Sequence, residues 1–92
     1  MQQEYAETIA LQALAWLAAQ DDLLPVFLGA SGVSGEAIKA RAAEPEFLIS
    51  VLDFLAMDDA WVTAVCDAIG QPYDALLQAR QALPGGAVVH WT

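Results

Sequence analysis

The same order of helix-forming and helix-ending residues occurs twice in this chain of 92 residues, with an offset of about 38 positions. The corresponding residues are Trp16 and Phe54, Asp21-Asp22 and Asp58-Asp59, Gly32 and Gly70, Arg41 and Arg80, and Pro45 and Pro84. Because these residue types are uncommon and recur in one order, the pattern indicates a duplicated three-helix unit, at about 4–43 and 44–83. Two units are too few for an elongated solenoid, so they should close on each other as one bundle.

Apolar residues at helical spacing predict an all-α fold, a compact bundle of about five to six short helices within a single domain at 1–86. Nineteen alanines and the absence of asparagine fit helices better than the turns of a β-sandwich. The positions assigned to the apolar faces are Ile9, Ala13, Trp16, Leu17, Leu24, Phe27, Leu28, Ile38, Leu48, Val51, Leu52, Leu55, Val62, Val65, Cys66, Ile69, Leu76, Leu77 and Ala79.

Helix boundaries follow from capping residues. We expect each acidic pair, Asp21-Asp22 and Asp58-Asp59, to cap the helix that follows it, and each of Gly32 and Gly70 to end one in a left-handed conformation. The remaining predicted boundaries are Ser34 to Ala43 for the third helix, Pro45 opening the fourth, Pro72 opening the sixth and Pro84-Gly85-Gly86 ending it.

The charge excludes several classes of function. Twelve Asp and Glu stand against Lys39, Arg41 and Arg80, which gives a net charge of −9. Nucleic-acid binding needs clustered cations, and so does attraction to an anionic membrane, so we expect neither. No apolar run is long enough to span a bilayer, the N-terminus lacks the features of a signal peptide, and a single cysteine cannot form an internal disulfide. These features predict a cytoplasmic protein.

No catalytic, metal or cofactor site is expected. The acidic pairs lack the spacing of a calcium loop, and helix capping accounts for them. Cys66 lies on an apolar face, and the only histidine, His90, lies in the C-terminal tail, so a buried structural thiol is favoured over a Cys–His pair. We therefore predict a protein that is not an enzyme and has no cofactor.

Two groups of residues remain as candidates for binding. Arg41 and Arg80, at equivalent positions of the two units, either stabilise the ends of their helices or form an anion site together. The apolar tail 87–92 carries Val89 and Trp91, which either pack into a groove of the same bundle or bind a neighbouring molecule. Trp61 is a second aromatic candidate for an interaction surface.

The chain resembles a family of short, uncharacterised helical proteins that occur mainly in alphaproteobacteria and are known as a domain of unknown function. The segments that carry the resemblance are 14–19, the acidic pair with Leu23-Leu24, Phe27-Leu28, 41–48, 51–55, Asp58-Asp59 and 76–84. Together they span about residues 5 to 86. The resemblance implies a bacterial cytoplasmic helical protein without an assigned activity, and it transfers no site residues.

Three functions stay open at this point. The first is a non-enzymatic module for protein–protein interaction or for self-association into a homo-oligomer. The second is a binder of a small ligand or anion that uses Arg41 and Arg80. The third is an acidic regulator that binds a basic segment of a partner protein.

Overall fold

Six α-helices make up the fold, and no strand occurs among the residues described. The structure is a computed structural model that describes residues 1–85. In chain order the helices are α1 (Gln3–Ala18), α2 (Leu24–Ser31), α3 (Ile38–Arg41, preceded by a 3-10 turn at Gly35–Ala37), α4 (Pro45–Ala56), α5 (Asp59–Ile69) and α6 (Ala75–Ala82). The Cα radius of gyration, 12.4 Å, is that of a compact domain of this length. The predicted all-α compact fold is confirmed.

Four of the predicted helix ends are confirmed, and each depends on the chemistry of a single residue. Gly32 and Gly70 end α2 and α5 with φ of 74° and 71°, a conformation that costs glycine little because it has no Cβ. Asp58 caps α5, since its carboxylate accepts a hydrogen bond from the Ala60 N–H at 2.8 Å. Pro45 is the first residue of α4, where the missing N–H has no partner to lose.

Three predicted helix boundaries are wrong. No side chain caps α2, which starts at Leu24, because the Gln20 carbonyl accepts the N–H groups of Leu23 and Leu24 and the backbone closes this turn by itself. Pro72 lies in a turn before α6, and the N–H of Ala75, the first residue of α6, donates to the Pro72 carbonyl at 3.0 Å. The third helix ends at Arg41 rather than at Ala43.

The core is built around α1 and α4. Helix α1 packs against α4, α5 and α6, and α4 also contacts α2. The largest fully buried side chains are Phe27, Phe47, Ile9, Leu17, Leu52, Leu55, Val51, Val65 and Cys66. The assignment of Leu77 to an apolar, buried face is wrong, because this residue is 57% exposed. Leu76 and Ala79 form the buried face of α6.

The division into two equivalent units stays a prediction. The second unit contributes α6, which packs against both α1 and α4, whereas its counterpart α3 is a single turn of four residues. Among residues 1–85, no helix is both long and apolar enough to cross a bilayer.

Candidate functional site

A groove opens on the surface between α2 and α4, and we call it the α2/α4 groove. Its volume is about 220 Å³. Its lining consists of Phe27, Ala30 and Ser31 from α2, Ser50, Asp53 and Phe54 from α4, and Met57, which directly follows α4. On each helix these residues are spaced by three or four positions, so each set lies on one helical face. Helix α2 is short and contacts the bundle mainly through α4.

A cluster of aromatic rings forms the floor of the groove. Phe27 meets Phe47 and Phe54 edge-on, with ring centroids 5.9 and 5.3 Å apart. Trp61 of α5 stacks on Phe54 at 5.0 Å with an interplanar angle of 23°. Phe27 and Phe54 thus form an apolar floor, and their ring contacts have the edge-on and stacked geometries that aromatic pairs prefer.

The polar side chains of the groove already have partners within the protein. The Ser50 hydroxyl donates to the Phe47 carbonyl at 2.6 Å, and the Ser31 hydroxyl accepts from the Val33 N–H at 3.3 Å. The Asp53 carboxylate accepts from the Arg80 guanidinium. Within residues 1–85, no buried side-chain nitrogen or oxygen is left without a partner. The groove therefore offers apolar surface rather than unsatisfied hydrogen-bonding groups.

At the C-terminal end of α4, where Met57 lines the groove, an exposed apolar side chain adjoins acidic residues. Met57, at the end of α4, is 76% exposed. Asp58 and Asp59 follow it directly, and Asp53 lies one turn before it on the same helix. Exposed methionine is characteristic of surfaces that adapt to apolar partners, because its side chain is flexible and polarisable.

Comparison with known proteins gives one match. The family model described as Protein of unknown function (DUF3572) matches residues 3–86. The chain belongs to this family. No curated protein and no solved structure matches it. The resemblance predicted from the sequence is confirmed at the level of the family, and the alphaproteobacterial origin stays a prediction.

The two arginines of this DUF3572 protein bind different carboxylates. The Arg41 Nε donates to Glu44 at 2.9 Å, and the Arg41 guanidinium lies 5.7 Å from the centre of the Phe47 ring. Arg80 pairs with Asp53 across the α4/α6 contact. Glu44 and Asp53 are separated by nine residues of α4 and its cap, which is about 13 Å along the axis. Each guanidinium is thus held by a separate carboxylate.

Of the three candidates for an interaction surface, the structure describes one. Trp61 is half-buried and packs against the core through Phe54, so it supports the groove floor from the side of α5. Val89 and Trp91 lie outside the described residues, as does His90 of the less favoured Cys–His pair.

Cys66 is fully buried in α5. Burial raises the pKa of its thiol, and the negative charges of Asp67 and Asp74 raise that pKa further. A raised pKa disfavours the thiolate, which is the reactive form of cysteine. Over residues 1–85, no group of three or more His, Cys, Asp or Glu is arranged to hold a metal ion.

The groove residues were not identified from the sequence. Ala30, Ser50 and Met57 are common residue types without a motif, and Phe27 and Phe54 read as ordinary core positions. The one usable signal is Met57, a large apolar residue directly before the capping Asp58, where a helix end faces solvent.

Proposed function

We propose that this protein is a non-enzymatic interaction module that binds an apolar side chain of a basic partner segment in the α2/α4 groove. The observation that carries the proposal is the groove itself, an apolar depression with an aromatic floor and internally bonded polar groups. Such a site selects by shape and apolar area, as the anchor pockets of protein interfaces do.

The negative charge of the molecule favours a basic partner segment. Within residues 1–85 the ion pairs engage only Glu44 and Asp53, so most of the carboxylates have no basic partner among these residues. Asp58 and Asp59 directly follow Met57, which lines the groove. Lysine or arginine residues that flank the apolar anchor would meet this negative field, which speeds association and makes it depend on salt.

A small-ligand or anion site at the arginines is the less favoured function. Both guanidiniums are held by carboxylates of the same chain, and an anion would have to displace them. The α2/α4 groove likewise presents no buried unpartnered side-chain polar atom to orient a small polar ligand.

The test is selection of short peptides from a displayed random library on the full chain, followed by affinity measurements by calorimetry. We expect enrichment of peptides with one large apolar residue flanked by Lys or Arg. Ala30→Arg, which fills the groove, should weaken their binding by at least about tenfold. Ala64→Arg adds the same charge at an exposed site on α5 and is the matched control.

The proposal fails if no peptide is enriched. It also fails if the enriched peptides bind the Ala30→Arg and Ala64→Arg variants equally well. Peptides that lack basic residues, or whose affinity does not fall as salt is added, would contradict the charge part of the proposal.

A further inference from the structure

The lining of the α2/α4 groove follows one face of each of its two helices. From Ser50 to Met57 the lining advances by seven positions, which is about 10 Å along the axis of α4. From Phe27 to Ser31 it advances by four positions, which is about 6 Å along α2. A volume of about 220 Å³ holds one or two large side chains, since a cavity of about 150 Å³ holds benzene. The groove thus accepts side chains that lie within one to two helical turns of each other.

The walls of the groove offer no hydrogen bonds to the backbone of an extended segment. Extended peptides are recognised at the free edge of a sheet, and residues 1–85 contain no strand. Both walls are helices, whose interior N–H and C=O groups bond within the helix. Ser31, Ser50 and Asp53 of the lining also have partners within the chain. Because an extended segment would lose water from its backbone without gaining hydrogen bonds, the groove favours a helix, which satisfies its own backbone.

The chemistry along α4 matches one side of an amphipathic helix. Met57 is 76% exposed, so its flexible side chain is free to cover a second apolar residue beside the one in the groove. Asp53 belongs to the lining, and Asp58 and Asp59 directly follow Met57. A helix repeats apolar residues every three or four positions on one face and carries charged residues on the borders of that face. Lysine or arginine at those borders would lie close to these carboxylates.

We infer that the partner segment binds the α2/α4 groove as a basic amphipathic helix. One large apolar side chain fills the groove, and a second, three or four positions away, packs on Met57. This inference rests on the proposed function and adds the conformation of the partner and the spacing of its apolar residues.

The conformation of bound peptides is the first test, with a library of peptides about 16 residues long, enough for four helical turns. We expect the enriched peptides to repeat a large apolar residue at a spacing of three or four. Carbon chemical shifts of an isotope-labelled peptide bound to the full chain should be helical across both apolar residues. Proline placed between these two residues should weaken binding at least about tenfold relative to alanine at the same position, because proline breaks a helix.

The contact with Met57 is the second test. Met57→Ser should weaken binding of the peptides by about three- to tenfold. Leu77→Ser is the matched control, because it truncates another exposed apolar side chain, on α6, and its affinity should stay within about twofold of the unchanged chain. Serine in place of the second apolar residue of the peptide should weaken binding to the unchanged chain and have little further effect on Met57→Ser.

The outcomes separate this inference from the proposed function. Peptides that Ala30→Arg weakens, but whose bound shifts are those of an extended chain, overturn the inference and leave the proposed function standing. Equal affinity of the proline and alanine peptides does the same, and so does equal affinity of Met57→Ser and Leu77→Ser. If no peptide is enriched, both proposals fail.

Discussion

Phe54 belongs to the core and to the surface at once. Its ring is buried to 6% exposure, packs edge-on against Phe27 and stacks on Trp61. The same residue lines the α2/α4 groove. The packing that stabilises the contact of α2 and α5 with α4 therefore also fixes the shape of the candidate site.

Cys66 makes the free energy of unfolding depend on pH in a defined direction. Its pKa is raised in the folded state by burial and by Asp67 and Asp74, while the unfolded thiol titrates at about 8.5. Below the unfolded pKa both states carry the proton, and the full stability is present. Above it the unfolded state loses the proton first, so stability falls as pH rises toward the folded pKa.

We expect the free energy of unfolding to fall more steeply between pH 7 and about 9.5 in the unchanged chain than in Cys66→Ala, with a difference of at most about 1.4 kcal/mol per pH unit. Urea denaturation at a series of pH values measures both slopes. The variant cancels contributions from other groups, among them Tyr73, whose pKa is raised by the hydrogen bond to Asp67. Parallel slopes would contradict this account.

At the scale of elements, the residues at the helix ends determine where the short helices stop. Gly70 ends α5 at φ of 71°, where an added Cβ would meet no neighbour and only the backbone conformation is strained. Gly29 lies inside α2, also with open space around the position of a Cβ. The two glycines thus differ in backbone conformation and not in crowding.

Alanine substitutions at these glycines should have opposite effects. Gly70→Ala should lower the free energy of unfolding by about 1–2 kcal/mol, because alanine is strained in the left-handed region. Gly29→Ala should raise it by about 0.5–1 kcal/mol, because alanine favours the helix interior. Chemical denaturation of both variants provides the measurement, and effects of the same sign would disprove the explanation.

The two acidic pairs should contribute differently to the stability of the helices that follow them. Asp58→Ala removes the hydrogen bond to the Ala60 N–H and should lower the free energy of unfolding by about 1 kcal/mol. Asp22→Ala removes the same charge before a helix that no side chain caps, and its effect should stay within about 0.5 kcal/mol. Thermal unfolding compares the two variants, and equal losses would show that charge, not capping, sets the effect.

At the scale of the whole molecule, the excess of negative charge acts on stability as well as on partners. The net charge is −9, and the molecule measures 36 × 26 × 24 Å along its principal axes. The Debye length is about 30 Å at 0.01 M salt and about 8 Å at 0.15 M. At low salt the carboxylates thus repel one another across most of the molecule.

Added salt should therefore stabilise this protein. We expect the melting temperature measured by calorimetry to rise between about 0.01 M and 0.15 M sodium chloride. A variant with Asp21→Asn and Asp22→Asn should show a smaller rise, because both exposed charges add to the repulsion. If salt instead lowers the melting temperature, the ion pairs of Arg41 and Arg80 outweigh the repulsion.

The sequence by itself determined the features that depend on a few neighbouring residues. Gly32, Gly70, Pro45 and Asp58 act through their own φ angle, missing N–H or carboxylate, and these effects operate within one turn. The helical period likewise identified the buried face of α4, because a face inside the bundle tolerates only apolar side chains.

Only the tertiary structure decided which faces meet. Leu77 and Leu76 are adjacent leucines, and the position of α6 against α1 and α4 alone buries one and exposes the other. The pairing of Arg80 with Asp53 and the α2/α4 groove depend on distances between helices that are far apart in the chain. Local propensities do not contain these distances, because they are set by the packing of all six helices together.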